Sequence, residues 1–174
     1  MKKTISIIAC LLVVLAAAAQ QHMEFMEVTL GQSVDSFVVA MEQKGFKPYI
    51  TSKTIPRGYR HMVGEFNGNE VRLVISYGVH TMQVTNVQLR FAEIKDLGEF
   101  LNFYAAMKRV IVEQYCTEGE AINEPPTMES LPKYGMKMEY GTVMVGVNPN
   151  TAYVLTLTYT DDYNTLEERK RRWD

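Results

Sequence analysis

Few residues in this chain stand at spacings that do chemistry. Ser130-Leu131-Pro132-Lys133 has the S-x-x-K pattern, in which a lysine one helical turn away activates a serine nucleophile. Pro132 lies inside the pattern and works against that helical turn, so the match reads as coincidence. His61 with Glu65 or His80 would supply two metal ligands, but a zinc site needs at least three. His22 is expected in a disordered N-terminus, His80 in a turn and His61 on a strand. Asp161-Asp162-Tyr163-Asn164 clusters oxygens that suit calcium or acid–base work. The same stretch also fits a helix start, with Asn164 and Glu167 at capping-box spacing. Glu167–Arg171 and Glu168–Arg172 would then be i,i+4 ion pairs, half neutralising the basic run Arg169 to Arg172. The structural reading is preferred. The methionines from Met23 to Met144 are scattered at core-type positions, which favours gap-filling over copper binding. No H-E-x-x-H, G-x-S-x-G, phosphate-binding loop, paired C-x-x-C or EF-hand ladder occurs. No metal and no cofactor is expected.

The elements that must hold these residues show in the periodicity. Val34, Phe37, Val38 and Met41 form one helical stripe, with Ser33 as N-cap and Gly45 as the stop. Leu97, Leu101, Tyr104, Met107, Ile111 and Tyr115 predict a second helix, opened by a capping box of Asp96 and Glu99. Period-2 alternation predicts strands at Val71–Tyr77, Val87–Phe91, Tyr134–Tyr140, Val143–Val147 and Tyr153–Tyr159. Asn67-Gly68-Asn69, Gly78 to Thr81, Gly141 and Asn148-Pro149-Asn150 supply the turns. Thr117 to Lys133, with Pro125, Pro126 and Pro132, reads as a long loop. The glutamate–aromatic–glycine turn before Val71 resembles the one before Val143, which suggests two α-β-β-β halves. The expected fold is two-layer α+β: an antiparallel sheet of about six to eight strands with two main helices on one face.

The 174 residues are 47% hydrophobic with a net charge of −2 and a pI near 6.0. That composition fits a folded globular chain and excludes the strongly basic surface of a nonspecific nucleic-acid binder. Residues 1–19 read as a signal peptide: Lys2 and Lys3, an apolar stretch from Ile5 to Leu15, then small residues through Ala19. Residues 20–174 would form a single α+β domain with no transmembrane segment, located in the periplasm or outside the cell. Its net charge becomes −4, since Lys2 and Lys3 leave with the leader. A lipobox reading at Ile7-Ile8-Ala9-Cys10 is the rival. It would leave apolar Leu11 to Ala19 directly after the lipid, where a polar tether is usual. Cys116 remains as the lone cysteine, expected beneath the end of the second helix because it follows Tyr115.

Several stretches look familiar together: Phe25-Met26-Glu27-Val28-x-Leu30-Gly31, Lys44-Gly45-Phe46, Gly64-Glu65-Phe66, Leu89-Arg90-Phe91, Phe103-Tyr104, Gln114-Tyr115 and Leu157-Thr158-Tyr159-Thr160-Asp161-Asp162-Tyr163-Asn164. The chain resembles a group of small, uncharacterised exported proteins from gut bacteria of the Bacteroides type. The shared positions are turns, caps and core residues, so the resemblance implies no activity and no catalytic residue. Members often have Gly after the tyrosine that ends the second helix, where this chain has Cys116; that departure speaks against a shared thiol chemistry. The expected architecture is also similar, as a fold analogy alone, to the two-repeat β-lactamase inhibitor proteins and small outer-membrane assembly lipoproteins.

The remaining candidate is a surface. With the helices on one face, the other shows Arg72, Val74, Ser76, Gln88, Arg90, Lys137, Glu139, Met144, Val154, Thr156 and Thr158. Such a face suits a protein partner or an extended ligand, and equally a plain solvated surface. The leading reading is an exported, non-enzymatic binding or envelope-accessory protein of unknown ligand. The rival is a small secreted hydrolase or metal-dependent enzyme whose site is assembled from scattered residues. The mature protein is expected to begin at Gln20 and carry no lipid. Intact-mass measurement on protein from the native host checks this, and a diacylglycerol mass on Cys10 would contradict it.

Overall fold

One-sided burial organises the strands. In the computed structural model, which describes residues 22–51, 54–124, 133–147 and 154–173, they form one eight-stranded antiparallel sheet beside a two-stranded one. In chain order the elements are β1 (Glu24–Phe25), β2 (Val28–Thr29), α1 (Val34–Gln43), β3 (Lys47–Pro48), β4 (Tyr59–Phe66), β5 (Asn69–Tyr77) and β6 (Val84–Phe91). Then come α2 (Leu97–Tyr115), β7 (Glu120–Glu124), β8 (Lys133–Met138), β9 (Gly141–Val147), β10 (Leu155–Asp161) and α3 (Asp162–Trp173). The large sheet has the order β3-β4-β5-β6-β10-β9-β8-β7. It is two meanders, each a helix followed by four strands, joined where β6 pairs with β10. The α+β class and antiparallel sheet are as expected, and each half carries one more outer strand than its α-β-β-β pattern suggested.

Leu73, Leu89, Leu157 and Val145 line up across neighbouring strands and are fully buried. Val34, Phe37 and Met41 of α1 close over this face, as do Phe100, Met107, Ile111 and Tyr115 of α2. Ser33 and Asp96 cap the two helices through Ser36 N and Glu99 N. Leu97 and Leu101 are 53% and 51% exposed, so the α2 stripe is led by Phe100 instead. Phe103, on the same turn, meets Phe91 edge-on at 5.0 Å, and these aromatics turn the two leucines to the flank.

Two further expectations fail for simple reasons. Cys116 is exposed, because one residue beyond buried Tyr115 is a rotation of about 100° away from the core. The presumed long loop contains β7, an outermost strand whose residues are exposed except half-buried Ile122. Such a strand has no apolar alternation to betray it. Pro125, Pro126 and Pro132 lie outside the described residues.

The end of β10 ties the chain together. Asp161 is fully buried and accepts a hydrogen bond from Asn164 N at 2.8 Å, which caps α3. The cap is therefore Asp161, three residues before the expected Asn164. Its second oxygen meets His22 Nδ1 at 2.8 Å and Met23 N at 3.2 Å. Asn164, also fully buried, donates through Nδ2 to the carbonyls of Leu30 and Val84. His22 is thus built into the fold rather than disordered. Its ring lies against Gly31, where a Cβ would come within 2.6 Å of it, and edge-on to Tyr163. Gly141 makes similar room for Met23.

Removing the Asp161 carboxylate leaves several buried donors unpaired and uncaps α3. Asp161→Ala is expected to cost roughly 3 kcal/mol or more in urea unfolding. Asp162→Ala, at an exposed neighbour, should cost less than about 1 kcal/mol. Equal costs would contradict the role of Asp161.

Candidate functional site

The outward side chains of β5, β6, β10 and β9 fall into rungs set by the register. Arg72 stands opposite Arg90, and Arg90 opposite Thr156. Val74 stands opposite Gln88, Gln88 opposite Thr158, and Thr158 opposite Met144. Ser76 pairs with Asn86, and Asn86 with Thr160. The expected open-face residues Arg72, Ser76, Gln88, Arg90, Thr156 and Thr158 thus occupy three neighbouring rungs on the face away from α1 and α2.

Four of them, Gln88, Arg90, Thr156 and Thr158, line one cleft of about 500 Å³. Its wall includes Met144 to Val147, and its rim carries the Lys133–Glu124 ion pair at 3.0 Å. Polar groups along the floor are joined to one another. Arg90 Nε donates to Gln88 Oε1 at 2.7 Å, Gln88 Nε2 to Thr158 at 3.3 Å, and Asn86 Nδ2 to Thr160 at 2.9 Å. Thr156 donates to the Gly146 carbonyl. Thr156 and Val74 point outward yet are only 8% and 4% exposed. They are covered by their longer neighbours, so neither is the bare surface position the alternation suggested.

Like charges directly across a strand pair cost stability, and Arg72 and Arg90 avoid this by leaning apart. Arg72 stacks 4.3 Å over Tyr49 and donates to its hydroxyl, while Arg90 is held by Gln88. Their field still reaches His61, whose imidazole is pushed down chiefly by burial and then by Arg90 and Arg72.

Other expected members stand elsewhere. Lys137 faces the same way on β8 but lies outside the cleft. Glu139 is not on a strand, because Met138 pairs with Gly141 and leaves Glu139 and Tyr140 as the turn between β8 and β9. Ser76 borders a second cleft beside α3. Among the described residues no group of three His, Cys, Asp or Glu could hold a metal ion, and His61, Glu65 and His80 form none. Ser130 lies outside the described residues. No helix among the described residues is long and apolar enough to cross a membrane. No protein family, curated protein or solved structure matches this chain.

Sequence spacing also misplaced two glutamates of α3. Glu167 pairs with Lys170 at 2.7 Å, not with Arg171. Glu168 is buried and turns away from Arg172 to accept the backbone N–H groups of His80 and Thr81 and the Thr81 hydroxyl. Its partners lie 87 and 88 residues away, beyond any local pattern. Through this contact α3 is latched across the turn from β5 to β6.

Burial alone would raise the Glu168 carboxyl, but the donors of Thr81 and His80 outweigh it and hold it below its usual 4.5. A depressed carboxyl contributes stability that is present above its unfolded value and is lost as pH falls through the folded one. Wild type should therefore exceed Glu168→Gln in urea stability near neutral pH. The gap should narrow by about pH 3, and a gap that stays constant would show that Glu168 carries no such linkage.

Proposed function

We propose that this chain is an exported, non-enzymatic binding or envelope-accessory protein that holds an extended ligand on the open face of its sheet. The carrying observation is the cleft floored by Gln88, Arg90, Thr156 and Thr158. Its volume of about 500 Å³ lies in the range of small-ligand and peptide-side-chain sites. The polar groups there are held by one another on the central strands, so a ligand meets them already oriented and little ordering entropy is lost on binding. The apolar leader of residues 1–19 supports export to the periplasm or the cell exterior. The resemblance to exported proteins of Bacteroides-type bacteria is carried as part of the same reading.

A photo-crosslinking residue placed at Lys133, on the exposed rim of the cleft, tests this in the native host's envelope. The same residue at Ala105, on the exposed side of α2, is the control. Adducts from position 133 and none from position 105 are expected. Matching adducts from both positions, or none from either, would overturn the open-face reading.

A further inference from the structure

The basic end of α3 is less neutralised than its sequence implies. Glu167 is taken by Lys170, and the Glu168 carboxylate is spent on the His80–Thr81 turn. Arg169 and Arg172 are three residues apart and so share a helix face. They line a cleft of about 340 Å³ together with Arg57, which sits just ahead of β4. Tyr59, Ser76, Thr85, Thr165 and the acidic Glu168 also line it, the Thr85 and Thr165 hydroxyls donating to the Ser76 and Asp161 carbonyls. Among the described residues no carboxylate pairs with any of the three arginines. Among the described residues Arg57 reaches the Val79 carbonyl, at a long 3.4 Å.

Three guanidinium groups gathered in one cleft repel each other, in a chain whose net charge is negative. Counting Glu168 against them leaves two positive charges. A carboxylate would answer one of these. A phosphate monoester carries about −1.5 to −2 near neutral pH and offers three acceptor oxygens. Guanidinium forks match those oxygens in pairs. The cleft is larger than a phosphate, which leaves room for the start of the group that bears it.

We propose that the cleft between Arg57 and the last turns of α3 binds a phosphate monoester group. It meets the open face at Ser76 but stands without that reading, since its probe is phosphate and crosslinking at Lys133 reports on a different cleft.

Titration of the mature protein with inorganic phosphate, followed by amide NMR and calorimetry, tests the proposal. Saturable binding with shifts at Arg57, Tyr59 and Thr165 is expected. Arg169→Gln and Arg172→Gln, both at exposed positions, should each weaken it roughly tenfold or more. Arg171→Gln, outside the cleft, should leave it unchanged. Glycerol 3-phosphate and phosphatidylcholine vesicles with or without phosphatidate distinguish the source. Preference for glycerol 3-phosphate assigns a soluble ester, and preference for phosphatidate vesicles assigns a lipid headgroup. The proposal is overturned if the shifts fall elsewhere, if acetate binds as tightly as phosphate, or if Arg171→Gln weakens binding as much as the other two.

Discussion

One buried carboxylate, that of Asp161, joins the first described residues to the last strand and the last helix. A buried charge is tolerated only when its lone pairs are answered, and those of Asp161 are answered from two directions. Asn164 N comes from the start of α3, while His22 and Met23 come from the first described residues. The last strand, the last helix and the N-terminal segment must therefore meet at one point for the charge to be accommodated. Asn164 extends that junction to the carbonyls of Leu30 and Val84. With Glu168 on the turn from β5 to β6, α3 has two polar anchors and a fixed line across the end of the sheet.

That line decides what the outward surface looks like. Where β6 meets β10, the two meanders contribute adjacent columns of side chains, and Gln88, Arg90, Thr156 and Thr158 fall together only because this pairing is in register. Neither half alone would bring them into one cleft. At the end of the sheet α3 supplies a second wall, and arginines distant in sequence come to share a space. The core beneath is apolar and closely filled by α1 and α2, so the polar chemistry is confined to the outward rungs and to the α3 end.

How much was legible in the sequence follows from the range of the forces involved. Val71, Leu73, Ile75 and Tyr77 announce a strand because burial on one side imposes a period of two on neighbouring residues. The open-face residues of β5, β6 and β10 were readable by the same rule, as the complement of that pattern. β7 was not, since an outermost strand buries little and imposes no alternation. The turn that Glu168 holds, and His22 and Met23 at the Asp161 carboxylate, lie far along the chain from their partners, so no local spacing encodes these contacts. Local i,i+4 logic assigned Glu168 to Arg172, and a longer-range contact with more donors won. Cys116 and Glu139 failed on smaller points, one residue of helical rotation and one tight turn.

The two margins of the large sheet are poor templates for another strand. β3 is two residues long and includes Pro48, which has no N–H to offer. β7 begins at Glu120 and ends at Glu124, and charged side chains on an outermost strand disfavour pairing with a further strand. Copies of the chain crowded together are therefore discouraged from extending each other's sheets into fibrils.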